Sequence, residues 1–150
     1  MIIRYLLPVI GGYIIGSVPT AWLVGKIYGV DILTLGSRNM GATNVRRVLG
    51  WKPALIVLGF DIAKGMLSAL IWLFLSSGSL TTAIIASFSA LVGHIYPLPL
   101  NLLAGRIRGG RGVAAAIGSF IVPTSPSLSW ADVLQCWNFL LTGYYSSYKY

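Results

Sequence analysis

The chain has 150 residues, of which 56% are hydrophobic and only 9% are charged. Soluble domains carry about 25% charged residues, so the composition excludes an ordinary soluble domain and favours an integral membrane protein. Lys and Arg number 11 against 3 Asp and Glu, which gives a net charge of +8. Because these basic residues flank apolar segments, we expect them to meet lipid headgroups or phosphate rather than nucleic acid.

Five apolar segments are predicted to cross the bilayer, since a spanning helix needs about 20 apolar residues. In chain order they are residues 5–25, 53–75, 80–98, 112–123 and 128–142. The fourth is short, and the fifth is the weakest because it contains several polar side chains. The sequence therefore predicts an all-α fold, a polytopic helical bundle of about five transmembrane helices that forms a single domain over residues 1–150.

Basic residues cluster in two of the connecting segments, residues 26–52 and 93–111, which lie on the same side of the membrane under this arrangement. The positive-inside rule makes that side cytoplasmic. The N-terminus is then outside, and the protein is predicted to be a multi-pass membrane protein whose two basic segments lie in the cytoplasm.

The first connecting segment contains the polar, glycine-rich stretch "GSRNMGATNVRR" at residues 36–47. Glycines permit backbone conformations that expose successive N–H groups, which form an anion-binding nest. Arginine side chains add charge and can hold a phosphate with two parallel hydrogen bonds. The alternative is a loop whose polar side chains satisfy their own backbone and whose arginines only set the topology. On the first interpretation the anion-binding residues are Gly36, Ser37, Asn39, Gly41, Thr43, Asn44, Arg46 and Arg47.

The second segment, "RIRGGRGVAAA" at residues 106–116, has the same character. Its glycines, Gly109, Gly110 and Gly112, surround Arg111 immediately before a predicted helix, where N–H groups and the helix dipole favour an anion. The alternative is a flexible hinge with arginines that stop transfer through the membrane. Together the two loops could hold two phosphate-bearing molecules.

Three ionisable residues lie within or at the end of predicted spans. Asp61 and Lys64 are one helical turn apart, and we favour a structural pair that orders the bundle, because charges in membranes usually pair. His94 is the single histidine and could be a general base, a phosphate ligand or a cap of a helix end. It has no second histidine beside it, so no metal site is predicted.

Several motifs resemble those of the bacterial acyl-phosphate:glycerol-3-phosphate acyltransferases, the PlsY type, and they follow one another in the same order and at similar spacing. "GSRNMGATNVRR" resembles the signature G-S-x-N-x-G-A-T-N-x-x-R of that family. Further similar stretches are "GSVPTAWLV" (16–24), "FDIAKGM" (60–66), "GHIYP" (93–97), "GGRGVA" (109–114) and "LLTGYYSS" (140–147).

The resemblance implies a location in a bacterial cytoplasmic (inner) membrane, and it also implies an activity. Members of the family transfer a fatty acyl group from acyl phosphate to the 1-position of sn-glycerol 3-phosphate at the bilayer, without acyl-CoA, cofactor or metal. The products are lysophosphatidic acid and inorganic phosphate. Carried onto this sequence, the motifs give as catalytic residues Ser37, Arg47, Arg111 and Ser146. They give as substrate-binding residues Gly36, Asn39, Gly41, Thr43, Asn44, His94, Gly109, Gly110 and Gly112.

The sequence also departs from the family pattern. Arg111 stands where the family has lysine, and the segment between Pro97 and Gly109 is longer than expected. Family members continue beyond the position of Tyr150 for about two more spans and carry a further His-x-x-Asn motif. We therefore expect a C-terminally incomplete or divergent member. The alternatives are an inactive membrane fragment that binds only phosphate or headgroups, and a small transport or structural subunit.

Overall fold

The computed structural model describes residues 2–98, 102, 105 and 109–121, and all regular structure within them is helical. Six helices lie wholly inside these residues, and the predicted all-α fold is confirmed. They are α1 (Ile2–Gly16), α2 (Thr20–Ile27), α3 (Ala42–Leu49), α4 (Trp51–Leu75), α5 (Leu80–Ile95) and α6 (Val113–Ile121).

The first predicted span is wrong in one respect, because it is not one continuous helix. The stretch Ile2–Ile27 is long and apolar enough to cross a membrane, but it divides into α1 and α2 around Ser17–Pro19. Pro19 has no N–H to donate and disfavours a helical conformation at the preceding residue. Between the two helices the carbonyl of Val18 accepts a hydrogen bond from the Thr20 N–H at 3.0 Å. It also accepts one from a side chain of α4, as described below.

The later helices agree more closely with the predicted spans. Helix α4 has 25 residues and can cross a membrane. Helix α5 has 16 residues, or about 24 Å of helix, which is shorter than the roughly 30 Å hydrocarbon core. Helix α6, with 9 residues, lies within the fourth predicted span. The fifth, residues 128–142, falls outside the described residues, so the number of crossings stays a prediction.

The helices pack through small residues. Helix α1 lies along α5, where a Cβ added to Gly12 or Gly16 would overlap the backbone of Ala86 or Ala90. Helix α4 packs on both α5 and α6. Close backbone approach at small residues is the usual packing of membrane helices. Large apolar side chains cover the outer faces, as at Phe74, which is 86% exposed, and such faces suit contact with lipid.

Candidate functional site

The polar stretch 36–47 is half loop and half helix, whereas the sequence predicted a loop throughout. Helix α3 begins after Gly41, whose extended backbone accepts hydrogen bonds from Asn44 N–H at 2.9 Å and Val45 N–H at 3.2 Å. The buried face of α3 includes Asn44 and Val45, while Arg46 and Arg47 are exposed. The guanidinium of Arg46 lies 4.6 Å from the centre of the Trp51 ring. The two arginines therefore have different surroundings.

Asn44 shapes the loop in front of α3. It is 1% exposed, and its Oδ1 accepts a hydrogen bond from the backbone N–H of Ser37 at 2.7 Å. Its Nδ2 donates to the carbonyls of Ile32 at 3.1 Å and Leu35 at 3.2 Å. Both amide hydrogens are thus committed to the backbone. The sequence analysis placed Asn44 among the donors to an anion, but this geometry gives it the task of holding Ser37 in place.

Gly36 belongs to the same arrangement. Its φ of 60° lies in the left-handed region, and an added Cβ would overlap Asn44 Oδ1. A residue without Cβ is therefore required for the Asn44 contact to form. Gly36 therefore shapes the loop through its contact with Asn44.

The second glycine loop is anchored to the end of α5. Gly109 N–H donates to the Ile95 carbonyl at 2.7 Å, and Gly110 N–H donates to the His94 carbonyl at 3.2 Å. These two N–H groups are used within the protein, so they are not directed at an anion as the sequence analysis expected for this loop. A Cβ at Gly110 would overlap the His94 imidazole and the Met40 carbonyl. The loop thus fits between α5 and the first polar stretch.

A cavity of about 240 Å³ lies where the two loops meet. Its wall combines residues of the first polar stretch, α4, α5, the second loop and the first turn of α6. They are Ser37, Asn39, Gly41, Ala42, Thr43, Asn44, Arg47, Leu58, Asp61, His94, Arg111, Gly112, Val113 and Ala114.

Most of the residues predicted for the site line this cavity. Gly36, Gly109 and Gly110 are not among the lining residues and support the loops instead. Ser146 lies outside the described residues. The cavity brings together two exposed cationic side chains, Arg47 and Arg111, with hydroxyl and amide groups. Such a set suits a phosphate-bearing ligand, because guanidinium groups bind phosphate oxygens with paired, charge-assisted hydrogen bonds.

Asp61 also lines the cavity, and the sequence analysis gave it only a structural role. The predicted pair exists, since Lys64 Nζ lies 2.9 Å from Asp61 Oδ1. Thr20 Oγ1 donates to the same oxygen at 2.5 Å, and His94 Nδ1 lies 3.7 Å from it. Lys64 Nζ also donates to the carbonyl of Val18 at 3.1 Å, in the break between α1 and α2.

The sequence contained one sign of this cluster, namely two charges one turn apart in an apolar span. Its partners Thr20 and His94 come from other helices and could not be read from spacing. Among the described residues, no three His, Cys, Asp or Glu side chains gather as a metal site would require.

Comparison with known proteins gives a consistent result. The family profile described as glycerol-3-phosphate acyltransferase matches residues 6–149. A glycerol-3-phosphate acyltransferase 2 of Moorella thermoacetica is 40% identical over 131 residues, which cover 87% of this chain and 64% of the relative. A glycerol-3-phosphate acyltransferase of Thermus thermophilus is 38% identical over 135 residues, covering 90% of this chain and 65% of the relative. The chain thus spans slightly less than two thirds of the length of these relatives.

Two solved structures are also similar. Both are crystal structures of PlsY (YgiH), an integral membrane glycerol 3-phosphate acyltransferase. The glycerol 3-phosphate form gives a TM-score of 0.69 at 34% identity, covering 91% of this chain and 66% of that one. The lysophosphatidic acid form gives 0.67 at 36% identity, covering 87% and 61%.

Proposed function

This chain belongs to the glycerol-3-phosphate acyltransferase family, and from that premise we propose that it transfers a fatty acyl group from an acyl phosphate to the 1-hydroxyl of glycerol 3-phosphate. In this reaction the bond between the acyl carbonyl carbon and the phosphate oxygen breaks, and an ester bond to the glycerol oxygen forms. The products are lysophosphatidic acid and inorganic phosphate. The hydroxyl proton leaves on the released phosphate.

The observation that carries the proposal is the shared cavity of Arg47 and Arg111. Each arginine comes from a different loop, and each can neutralise one phosphate group. Two phosphate-bearing substrates must meet in this reaction, and they repel one another unless cationic groups offset their charge. A pair of arginines on one wall meets that need at the membrane, where the acyl chain of the donor can remain among lipid tails.

The reaction depends more on the relative position of the two substrates than on a nucleophilic side chain. Holding the hydroxyl against the acyl carbonyl removes most of the entropic barrier to a bimolecular step. Cationic donors then stabilise the charge that grows on the departing phosphate. We assign the neutralisation of both phosphate groups, the departing one included, to Arg47 and Arg111 together. Hydrogen bonds to substrate oxygens are assigned to Ser37, Asn39 and Thr43. Ser146 is assigned to substrate binding on the family motif alone.

The chain is a helical membrane protein, and we place its cavity on the cytoplasmic side of a bacterial inner membrane. The support is the distribution of basic residues, which concentrate in the two segments that form the cavity. Glycerol 3-phosphate is water-soluble, so a cavity at the membrane surface would admit it from solution.

The direct test uses the purified full chain in proteoliposomes with palmitoyl phosphate and radiolabelled glycerol 3-phosphate. We expect label to appear in lysophosphatidic acid, and palmitoyl-CoA to give none. Folded protein that transfers no label would contradict the proposal. A transport subunit would instead move unmodified label into the vesicles.

A further inference from the structure

A carboxylate in the cavity wall is not explained by phosphate binding. Asp61 is the single carboxylate among the described residues that line the cavity, which also holds Arg47 and Arg111. A carboxylate repels phosphate, and a buried charge is costly to maintain. A cavity that only had to hold phosphate groups would be better without it.

Asp61 is fixed from three helices. Its Oδ1 accepts a hydrogen bond from Thr20 of α2 at 2.5 Å and lies 2.9 Å from Lys64 Nζ within α4. His94 of α5 approaches Oδ1 to 3.7 Å, which is an electrostatic contact longer than a hydrogen bond. All three contacts involve Oδ1.

We infer that Asp61 accepts a hydrogen bond, through Oδ2, from a hydroxyl group of the acceptor substrate. The inference rests on the proposed function, in which that substrate is a small polyol phosphate. An ionised carboxylate can only accept hydrogen bonds, and a hydroxyl can donate one where a phosphate oxygen cannot. Asp61 therefore distinguishes the two ends of the substrate, since the arginines bind the phosphate and the carboxylate binds the hydroxyl end.

The surrounding contacts suit this role. Lys64 offsets the negative charge of Asp61, so the carboxylate repels a nearby phosphate less. The carboxylate can still accept a hydrogen bond from a hydroxyl group. Thr20 fixes the orientation of the carboxylate, because its hydroxyl binds the other oxygen. A preorganised acceptor of this kind binds a hydroxyl more strongly than a mobile one, because less side-chain freedom is lost on binding.

The test compares two ligands that differ in their hydroxyl groups, glycerol 3-phosphate and n-propyl phosphate. Their affinities for the purified full chain in detergent are measured by isothermal titration calorimetry. A hydrogen bond to a charged group predicts that the wild-type chain binds glycerol 3-phosphate about tenfold to a hundredfold more tightly. The double variant D61L/K64M removes both charges while roughly keeping their volumes, so no unpaired ion is left. We expect its affinity ratio to fall close to one while its affinity for n-propyl phosphate is kept.

Arg47→Gln is the matched control. It removes a group that we assign to the phosphate, so both ligands should weaken by a similar factor and the ratio should persist. Thermal unfolding establishes that each variant is folded. Should D61L/K64M fail to fold, D61N/K64Q keeps polar groups for Thr20 and Val18 and is expected to lower the ratio partially.

A folded double variant that keeps the full wild-type ratio would overturn the assignment of Asp61. A wild-type chain that binds the two ligands equally, or binds neither, would overturn it as well. Acyl transfer by the wild-type chain is measured separately, so the role of Asp61 and the proposed function can fail independently.

Discussion

Arg47, near the end of α3, and Arg111, just before α6, line the same cavity although a complete helical hairpin separates them in the chain. Helices α4 and α5 run out and back between them, and this returns the second glycine loop to the first. The site therefore depends on the α4–α5 hairpin, which brings the two loops together, as well as on the loops themselves.

Replacing Arg47 with alanine should weaken the binding of a phosphate substrate by about 1–3 kcal/mol, the worth of a charge-assisted hydrogen bond. The measurement is KM for glycerol 3-phosphate and for palmitoyl phosphate. Arg46→Ala is the control, because Arg46 stacks on Trp51 and is not among the lining residues. Equal effects of the two substitutions would contradict the role of Arg47.

Lysine at position 111 should support activity at least as well as the native arginine. Both side chains carry the charge that the cavity requires, although lysine lacks the planar fork of arginine. Steady-state rates of R111K and the neutral R111Q separate charge from shape. We expect R111K to stay active and R111Q to lose activity, and an inactive R111K would contradict the family alignment at this position.

Asn44→Ala should lower the free energy of unfolding, because it leaves the buried Ile32 carbonyl without a partner. It also removes the bonds to the partly buried Leu35 carbonyl and Ser37 N–H. Leaving one such buried group unsatisfied costs about 1–3 kcal/mol. Chemical unfolding in detergent measures the loss. Asn39→Ala provides the comparison, since the half-buried Asn39 lies in the cavity wall. We expect it to reduce activity while changing stability little.

Gly16→Ala should destabilise the bundle, because the new Cβ would overlap the backbone of Ala90 and push α1 away from α5. Overpacking of this kind costs about 1–3 kcal/mol. Gly59→Ala in α4 is the matched control, since nothing lies within 4 Å of its Cβ position. By helix propensity alone it should be neutral or stabilising by up to about 1 kcal/mol. The midpoint temperatures of thermal unfolding of the two variants are compared with that of the wild-type chain. An unchanged midpoint for Gly16→Ala would contradict the close contact of α1 with α5.

The proposed orientation can be tested by cysteine accessibility in a chain whose Cys136 has been replaced by serine. Ser77 lies in the turn between α4 and α5, and Lys52 lies at the opposite end of α4. A membrane-impermeant thiol reagent applied to intact cells should label S77C and should label K52C only after permeabilisation. The reverse pattern would contradict a cytoplasmic cavity.

Hydrophobic length predicted α4 and α5 well, because these segments are apolar throughout and have clear ends. The predicted third span reached residue 98, whereas α5 ends at Ile95, two residues before Pro97. The break between α1 and α2 was missed because membrane helices often tolerate proline, and the composition of a segment does not show a local interruption of the helix. Helix α3 was missed because it has only 8 residues. Its apolar residues Ala42, Val45 and Val48 do recur at helical spacing, but the glycines and arginines around them were interpreted as a loop.

The residue types in the sequence predicted which side chains lie together at the cavity. They did not predict which hydrogen bonds each of those residues makes. Glycine and arginine content was sufficient to point to both loops. The sequence could not show that the Asn44 side-chain amide donates to the carbonyls of Ile32 and Leu35. Nor could it show that the Gly109 N–H donates to the Ile95 carbonyl. Both contacts depend on the folded chain. The cavity-facing position of Asp61 was hidden for the same reason.

The contact between Lys64 and the Val18 carbonyl bears on how the protein enters the bilayer during synthesis. The ribosome delivers Val18 and Thr20 before α4, so the acceptor for the ammonium and the donor to the carboxylate are already available when Asp61 and Lys64 emerge. The two opposite charges arrive one turn apart and can neutralise each other during insertion. The translocation machinery would thus never need to pass a bare ion into the lipid, and His94 would join the cluster last.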